Sequence, residues 1–397
     1  MRILLLTAGS RGDVEPFLAL ARRAVLEGHD VRLGVTAEFV DTVRAAGIEP
    51  APLAGDYSEL VAEQGVSPLA AIRSFRTTIV PMMTALLRSA ARAATDHRPD
   101  VIVHHPKVLS APLAATALGI PHVLCEIVPV VTPTRSFPAA GVTTVDLGPL
   151  NRLTYRATGA ANRMFAGPLR EVGGGLGLRP GAAVAPSARS LVPISPALLT
   201  RPADWPASTV ITGAWHQPGT EPEVDAELAE FLAEGDVVHA GFGSMAAGDP
   251  VARGRAVVGA IRAVGKRALV TTGWGGMDVP GDLLGPDVLV RSAVPHGRVL
   301  PLCRAAVHHG GAGTVHAVVR AGLPSVVVPF LADQPFWGKL LHRRGLAAAP
   351  LPARKLTEQR LAAALAALPP AAVVQRVAAE MAMEDGCAAA LKELAAL

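Results

Sequence analysis

Two short segments carry the residue types that a group-transfer reaction needs. The first is Thr7-Ala8-Gly9-Ser10-Arg11-Gly12-Asp13, where a carboxylate follows an apolar run and two glycines. A carboxylate on a Gly-flanked loop at the carboxyl end of a strand is well placed to take a proton from an incoming hydroxyl. The second is His308-His309-Gly310-Gly311-Ala312-Gly313-Thr314. Its three glycines let a ligand approach the backbone, and the helix start that follows offers unpaired N–H groups and partial positive charge. That combination suits a diphosphate, to which Thr314 adds a hydroxyl and His309 a ring N–H. The segment is neither GxxxxGK[ST] nor GxGxxG. Plainer readings stand beside these: Asp13 as a helix cap, the glycine turn as packing, Asp333 as a cap before Pro335, and Trp337 as core. Arg11 can contact a phosphate or an acceptor, or pair with a neighbouring carboxylate. His104 and His105 follow a strand and point to opposite faces. With no HExxH and no acidic residues grouped near them, no metal site is expected, and His105 is a candidate for lining an acceptor pocket.

The elements around these residues alternate. Residues 2–7 read as a buried strand, Val14, Phe17, Leu18, Ala21 and Val25 as one face of a helix stopped by Gly28, and Val31–Val35 as a second strand. Further apolar runs at 100–104 and 122–124 flank a helix-like segment. The pattern restarts with strands at 237–242, 268–272, 288–291, 305–308 and 325–329, separated by helical segments. Continuous apolar strands joined by helices imply parallel sheets covered on both faces. The expected fold class is therefore α/β, two tandem Rossmann-like doubly wound domains facing each other across a cleft. The expected divisions are 1–205, a Pro-rich linker at 206–222, a second domain at 223–380, and a C-terminal helix at 381–397 packing back toward the first domain. Gly173-Gly174-Gly175-Leu176-Gly177 reads as a flexible loop.

Bulk composition narrows the classes. A chain of 397 residues exceeds what one core usually supports. Half the residues are apolar and 18% are charged, a globular balance. The net charge of +4 is small and the basic residues are scattered, so no nucleic-acid partner is expected. Cys125, Cys303 and Cys387 lie far apart, which argues against a disulfide framework or structural zinc. No signal peptide and no transmembrane segment is read from the chain, and the expected location is cytoplasmic.

The segment from Val288 to Gly345 resembles the donor-binding signature of nucleotide-sugar glycosyltransferases with two Rossmann-like domains (the GT-B type). It contains Val294-Pro295-His296, the His309 glycine motif and Val328-Pro329-Phe330-Leu331-Ala332-Asp333-Gln334. The resemblance is to the branch holding vancomycin-group, macrolide and sterol glycosyltransferases. Thr7–Pro16 resembles that branch's acceptor-side loop, and Gly241-Phe242-Gly243-Ser244-Met245 matches a third motif.

The resemblance implies Asp13 as catalytic base, and His309, Gly311, Gly313 and Thr314 on the donor diphosphate. It implies Asp333 and Gln334 on the donor sugar, and Gly243, Ser244 and the Val294 backbone at the nucleotide. Plant members carry Trp where this chain has Ala293, which implies hydrogen bonding to the base in place of stacking. No metal and no separate cofactor are implied; the UDP-sugar or dTDP-sugar is a co-substrate, and a small aglycone is the other partner. Acceptor-wall candidates are Phe75, Met82, Met83, Phe137, Tyr155, Met164 and Phe165, each of which also reads as core. The competing functions are a non-catalytic nucleotide-sugar-binding accessory protein and a sugar-nucleotide 2-epimerase. Nothing in the sequence sets the oligomeric state.

Overall fold

The computed structural model describes residues 1–55, 75–217, 219, 222–243, 245, 248–273 and 275–397. Residues 56–74, within the expected acceptor wall, and Ser244 lie outside the described residues. The chain divides into two compact units: Met1–Gln217 together with Asp385–Leu397, and Pro218–Glu384.

The first unit is built on seven parallel strands: β1 (Arg2–Leu6), β2 (Asp30–Thr36), β3 (Glu49–Leu53), β4 (Val101–His104), β5 (His122–Cys125), β6 (Arg189–Val192) and β7 (Thr209–Ile211). Their order is β3-β2-β1-β4-β5-β6-β7. Ile3 to Leu6 are fully buried because the central strand is covered on both faces. Burying an aliphatic side chain contributes roughly 1.5–3 kcal/mol, so this strand anchors the unit. Of the apolar stripe read from Val14 to Val25, Val14, Phe17, Leu18 and Ala21 are the inward face of the helix Arg11–Leu26, while Val25 in its last turn is exposed.

Two expectations change here. The Pro-rich stretch expected as a linker includes β7, the edge strand paired to β6 through Ser190–Thr209, Leu191–Val210 and Val192–Ile211. Prolines flank this strand without interrupting it, which an edge position allows. Gly173 to Gly175, expected in a flexible loop, form the last turn of the helix Ala166–Gly175. Gly177 at φ +79° closes that helix, with the N–H of Leu178 bonded to Gly173 O and that of Gly177 to Gly174 O. This is a Schellman end, and only Gly177 needs the left-handed backbone.

The terminal helix Gly386–Ala395 belongs to the first unit. Asp385 pairs with Arg23 at 2.8 Å and Glu393 with Arg189 at 3.1 Å.

The second unit has five parallel strands: β8 (Val237–Gly241), β9 (Arg267–Thr271), β10 (Val288–Arg291), β11 (Ala305–His308) and β12 (Ser325–Val327). Their order is β10-β9-β8-β11-β12. Phe242, Val257, Val258, Ile261, Val270, Val307 and Val326 form the core of one face. In both sheets the strand order reverses beside the first strand, between β1 and β4 and between β8 and β11. The loops leaving the carboxyl ends of such strands part to leave a crevice, where open α/β sheets bind ligands. Among the described residues no single helix is long and apolar enough to cross a membrane.

Candidate active site

In the first unit Leu6 pairs with His104, so the loops after β1 and β4 leave the sheet side by side. Ser10 caps the helix Arg11–Leu26, and Asp13 sits three residues in. Its Oδ2 accepts from the Ser10 N–H at 2.8 Å and the Ser10 hydroxyl at 3.2 Å. Capping is thus part of what Asp13 does. The same carboxylate also meets the β4 loop: Lys107 Nζ lies 2.9 Å from Oδ2 and His105 Nε2 lies 3.4 Å from Oδ1.

Gly9 makes this possible. Its φ is +136°, and a Cβ there would fall 2.2 Å from Asp13 Oδ2 and 2.6 Å from Lys107 Nζ. Burial alone pushes the Asp13 carboxyl up, but the Lys107 ammonium and its hydrogen bond, the Ser10 N–H and His105 outweigh it, so it sits below the usual range. Burial holds His105 down to about 3. A neutral His105 carries no charge to set against Asp13, 3.4 Å away, which leaves Lys107 as the charge that keeps the carboxylate ionised.

In the second unit His308 pairs with Gly241, so the β8 and β11 loops are also neighbours. The helix Ala312–Arg320 begins after Gly311 with no side-chain cap. Its first intrahelical bond is Val315 N–H to Gly311 O, so the N–H groups of Ala312, Gly313 and Thr314 have no partner in the helix. A Cβ at Gly311 would fall 2.5 Å from His309 Nε2, so the ring requires that glycine. A Cβ at Gly313 would meet nothing within 4 Å, so protein packing does not.

A Cβ at Gly243, whose φ is +59°, would lie 3.4 Å from His309 Cε1, which puts the two sequence-assigned residues together. Among the described residues His309 Nδ1 is buried with no hydrogen bond of normal geometry. Burial, with His296 adding and the Gly241 backbone opposing, holds His309 down to about 4, so the ring is neutral at neutral pH. Behind it His308 Nδ1 accepts from the Gly310 N–H at 3.2 Å, which leaves the proton on a buried Nε2 that has no partner among the described residues.

The remaining sequence-assigned residues fall as follows. Asp333 Oδ2 accepts from Trp337 Nε1 at 2.9 Å, and its side chain makes no cap bond. Trp337 is fully buried and so serves as core and as a donor to Asp333. Gln334 is buried and turned onto its own loop, with Oε1 accepting from Phe330 N–H at 2.8 Å and Leu331 N–H at 3.2 Å. Val294 packs beside the cluster of Leu228, Leu289 and Val299. Arg11 pairs with Glu15 at 2.9 Å, both exposed. Met83 and Phe165 belong to the core around Leu4 and Ala90, and Phe137 and Tyr155 are buried, while Met164 is exposed.

Two residues were missed. Lys107 carries no local pattern and is identified only once β4 is known to lie beside β1. Arg253, on a helix where an exposed cation is the ordinary reading, is buried. It donates to Met245 O at 2.9 Å and to Gly276 O, and stacks 5.0 Å from the Phe330 ring. It thereby ties together the loops after β8, β9 and β12.

Two parallel-sheet α/β units, each with polar groups gathered where the strand order reverses, define the GT-B class of glycosyltransferases. The chain belongs to that family, in the branch with the macrolide and sterol enzymes. Residues 3–131 match the glycosyltransferase family 28 N-terminal domain, and residues 279–397 the erythromycin biosynthesis protein CIII-like C-terminal domain. The chain is 35% identical to O-mycaminosyltylonolide 6-deoxyallosyltransferase of Streptomyces fradiae, over 98% of its own length and 96% of that protein. It is 33% identical to sterol 3-beta-glucosyltransferase UGT80A2 of Arabidopsis thaliana over 99% of its length, but spans 65% of that relative. Similar solved structures include the glycotransferase of kitacinnamycin, with TM-score 0.72, 23% identity, and 99% and 98% of the two chains covered. Glycosyltransferase VinC in complex with DTDP has TM-score 0.67 and 20% identity over 99% and 98%.

Proposed function

We propose that the protein is an inverting, metal-independent glycosyltransferase that moves a sugar from a UDP- or dTDP-sugar to a hydroxyl of a small, lipophilic natural-product acceptor. The observation that carries this reading is Asp13: an ionised carboxylate at the strand-order reversal whose Oδ2 is saturated by donors and whose Oδ1, among the described residues, has only the 3.4 Å contact to His105. Oδ1 is the atom left to take a proton.

In the transfer, the acceptor oxygen forms a bond to the anomeric carbon from the face opposite the leaving group. The bond from that carbon to the diphosphate oxygen breaks, and its electron pair leaves with the nucleoside diphosphate. The acceptor proton passes to Asp13 Oδ1. A carboxylate of low proton affinity takes that proton late, once the new bond has made the hydroxyl acidic. The negative charge on the leaving diphosphate is met by the N–H groups of Ala312, Gly313 and Thr314 and by neutral His309, with no metal required. Asp333 takes donor-sugar hydroxyls; Gly243 and the Val294 backbone approach the nucleotide, and Gln334 holds the Asp333 loop in shape for the sugar. A dTDP-sugar is supported by VinC, whose structure holds DTDP, and a glucosyl donor by the name of the Arabidopsis relative. Three buried free thiols suit a reducing compartment, so we place the enzyme in the cytoplasm.

The test is transfer from UDP-glucose and dTDP-deoxysugars to an aglycone panel, with the product anomer read by NMR. Asp13→Asn should lower turnover by about 10²-fold or more while nucleotide binding holds. Full turnover by Asp13→Asn would sink the reading.

A further inference from the structure

The loop after β4 makes a tight reversal whose bonds converge on one carboxylate. The His105 N–H donates to Leu6 O at 2.9 Å, which carries the β1–β4 pairing past the end of β4. The Lys107 N–H then donates to His105 Nδ1 at 3.2 Å, and the Val108 N–H to His105 O at 3.0 Å. With Nδ1 accepting, the proton of the neutral ring sits on Nε2, the atom facing Asp13 Oδ1. His105 has no free nitrogen in this arrangement and cannot itself serve as the base. Lys107 therefore acts twice: its amide sets the tautomer of His105, and its ammonium holds Asp13 Oδ2 at 2.9 Å.

We infer that Lys107 is a positioning residue for the transfer, a clamp that reserves Asp13 Oδ1 for the acceptor proton and sets the proton affinity of the base. The inference rests on the reading of Asp13 as base. It does not follow from capping, because the capping contact joins Asp13 to the Ser10 N–H and hydroxyl, and Lys107 takes no part in it. Nor is the ion pair an ordinary surface bridge. The Asp13 side chain is only 18% exposed, and the glycine at position 9 is the residue type that leaves room for the pair.

Among the described residues, the charged and titratable groups facing Asp13 are Lys107 and His105 from the β4 loop. Arg11, on its own helix, is turned to Glu15. Removing the ammonium removes the main charge opposing desolvation, so the carboxyl must bind protons more readily.

Lys107→Met and Lys107→Arg test the inference in the full chain. In Lys107→Met the acid limb of the kcat/KM profile should move to higher pH. Plateau turnover should fall about tenfold through lost orientation, a part of the roughly 10²–10⁴-fold that a positioned acid–base group contributes. The donor KM should hold, and Lys107→Arg should return the limb toward its original place.

A second readout needs no turnover: the Asp13 carboxyl ¹³C titration, assigned by the signal lost in Asp13→Asn, should shift to higher pH in Lys107→Met. An unshifted carboxyl titration in folded Lys107→Met overturns the clamp whatever the kinetics show. A shifted titration with full turnover in Asp13→Asn leaves the clamp standing and overturns the base assignment instead. An equal loss at every pH that Lys107→Arg does not recover would mark Lys107 as structural only.

Discussion

The indole Nε1–H of Trp337 donates to Asp333 Oδ2 across 2.9 Å, one turn along the helix Gln334–Arg343 that Asp333 precedes. Trp337 is fully buried, packed edge-on against Phe336 and His316, so its N–H has a fixed direction and Asp333 inherits it. If Asp333 binds the donor sugar, Trp337→Phe separates sugar recognition from nucleotide recognition. Most of the ring volume stays, while a hydrogen bond to a charged group, roughly 1.5–3 kcal/mol, is lost. The expected result by calorimetry is a donor-sugar affinity lowered about tenfold with unchanged affinity for the free nucleoside diphosphate. Equal weakening of both would place Asp333 elsewhere in the site.

How much of this was legible beforehand depended on sequence distance. The strands flanking the site announced themselves as apolar runs, and the glycine motif at 310–313 lies within one turn, so its local geometry could be read directly. Asp13 and His105 were each singled out, but their meeting was not, because it depends on β4 lying beside β1. Lys107 is the sharper case: its partner is 94 positions away, and a single lysine after a strand has no spacing to betray it. The edge strand β7 escaped because three residues among prolines look like a linker until a neighbouring edge is available to pair with. Gly173 to Gly175 escaped because propensity argues for a loop, whereas Val172 beside them packs with Leu87 and Ala91 and holds the turn helical.

Four buried imidazoles and a fifth, His309, that is partly buried make acid stability a direct readout of this packing. Burial holds His104, His105, His239 and His308 down to about 3 and His309 to about 4. In the unfolded chain the same rings bind protons below about pH 6.5. The unfolded state then holds more protons, so stability is full above that pH and declines as pH falls toward the folded values. The slope is on the order of 1 kcal/mol per pH unit for each ring. Asp13, held low in the fold, adds a loss of the same sign once the pH drops below the ordinary carboxylate range. The urea midpoint should stay level from pH 8 to 7 and fall steeply from 6.5 to 5. A midpoint constant down to pH 5 would contradict the burial of these rings.

Glu126, fully buried at the end of β5, organises the chain that follows it. Its carboxylate accepts from the N–H of Val131 at 2.8 Å, the N–H and hydroxyl of Thr132, and the Ser190 hydroxyl at 2.7 Å. The loop is held further by Trp205 Nε1, which donates to Thr132 O at 3.2 Å. Glu126→Ala would leave the buried Thr132 N–H and the half-buried Val131 N–H without this acceptor, the buried one costing about 1–3 kcal/mol. Glu126→Gln keeps one acceptor oxygen and should lose less. Denaturant titration should rank wild type above Gln above Ala; equal stability of Ala and Gln would show that the loop finds other partners.

Gly313 offers a test in which stability and binding move in opposite directions. It occupies the second position of the helix Ala312–Arg320, and a Cβ there meets no protein atom within 4 Å. For the fold alone Gly313→Ala is therefore favourable, by up to about 1 kcal/mol from the lower entropy of the unfolded chain. For a diphosphate lying against the helix start, the added methyl obstructs approach to N–H groups that no side chain among the described residues caps. Thermal denaturation should show Gly313→Ala at or above wild type, while titration with UDP or dTDP should show affinity reduced by about tenfold or more. Gly311→Ala, by contrast, should lose both, since its Cβ would fall 2.5 Å from the His309 ring. Wild-type nucleotide affinity in a stable Gly313→Ala protein would mean that the diphosphate does not sit on this helix, and the donor site would have to be sought elsewhere in the second unit.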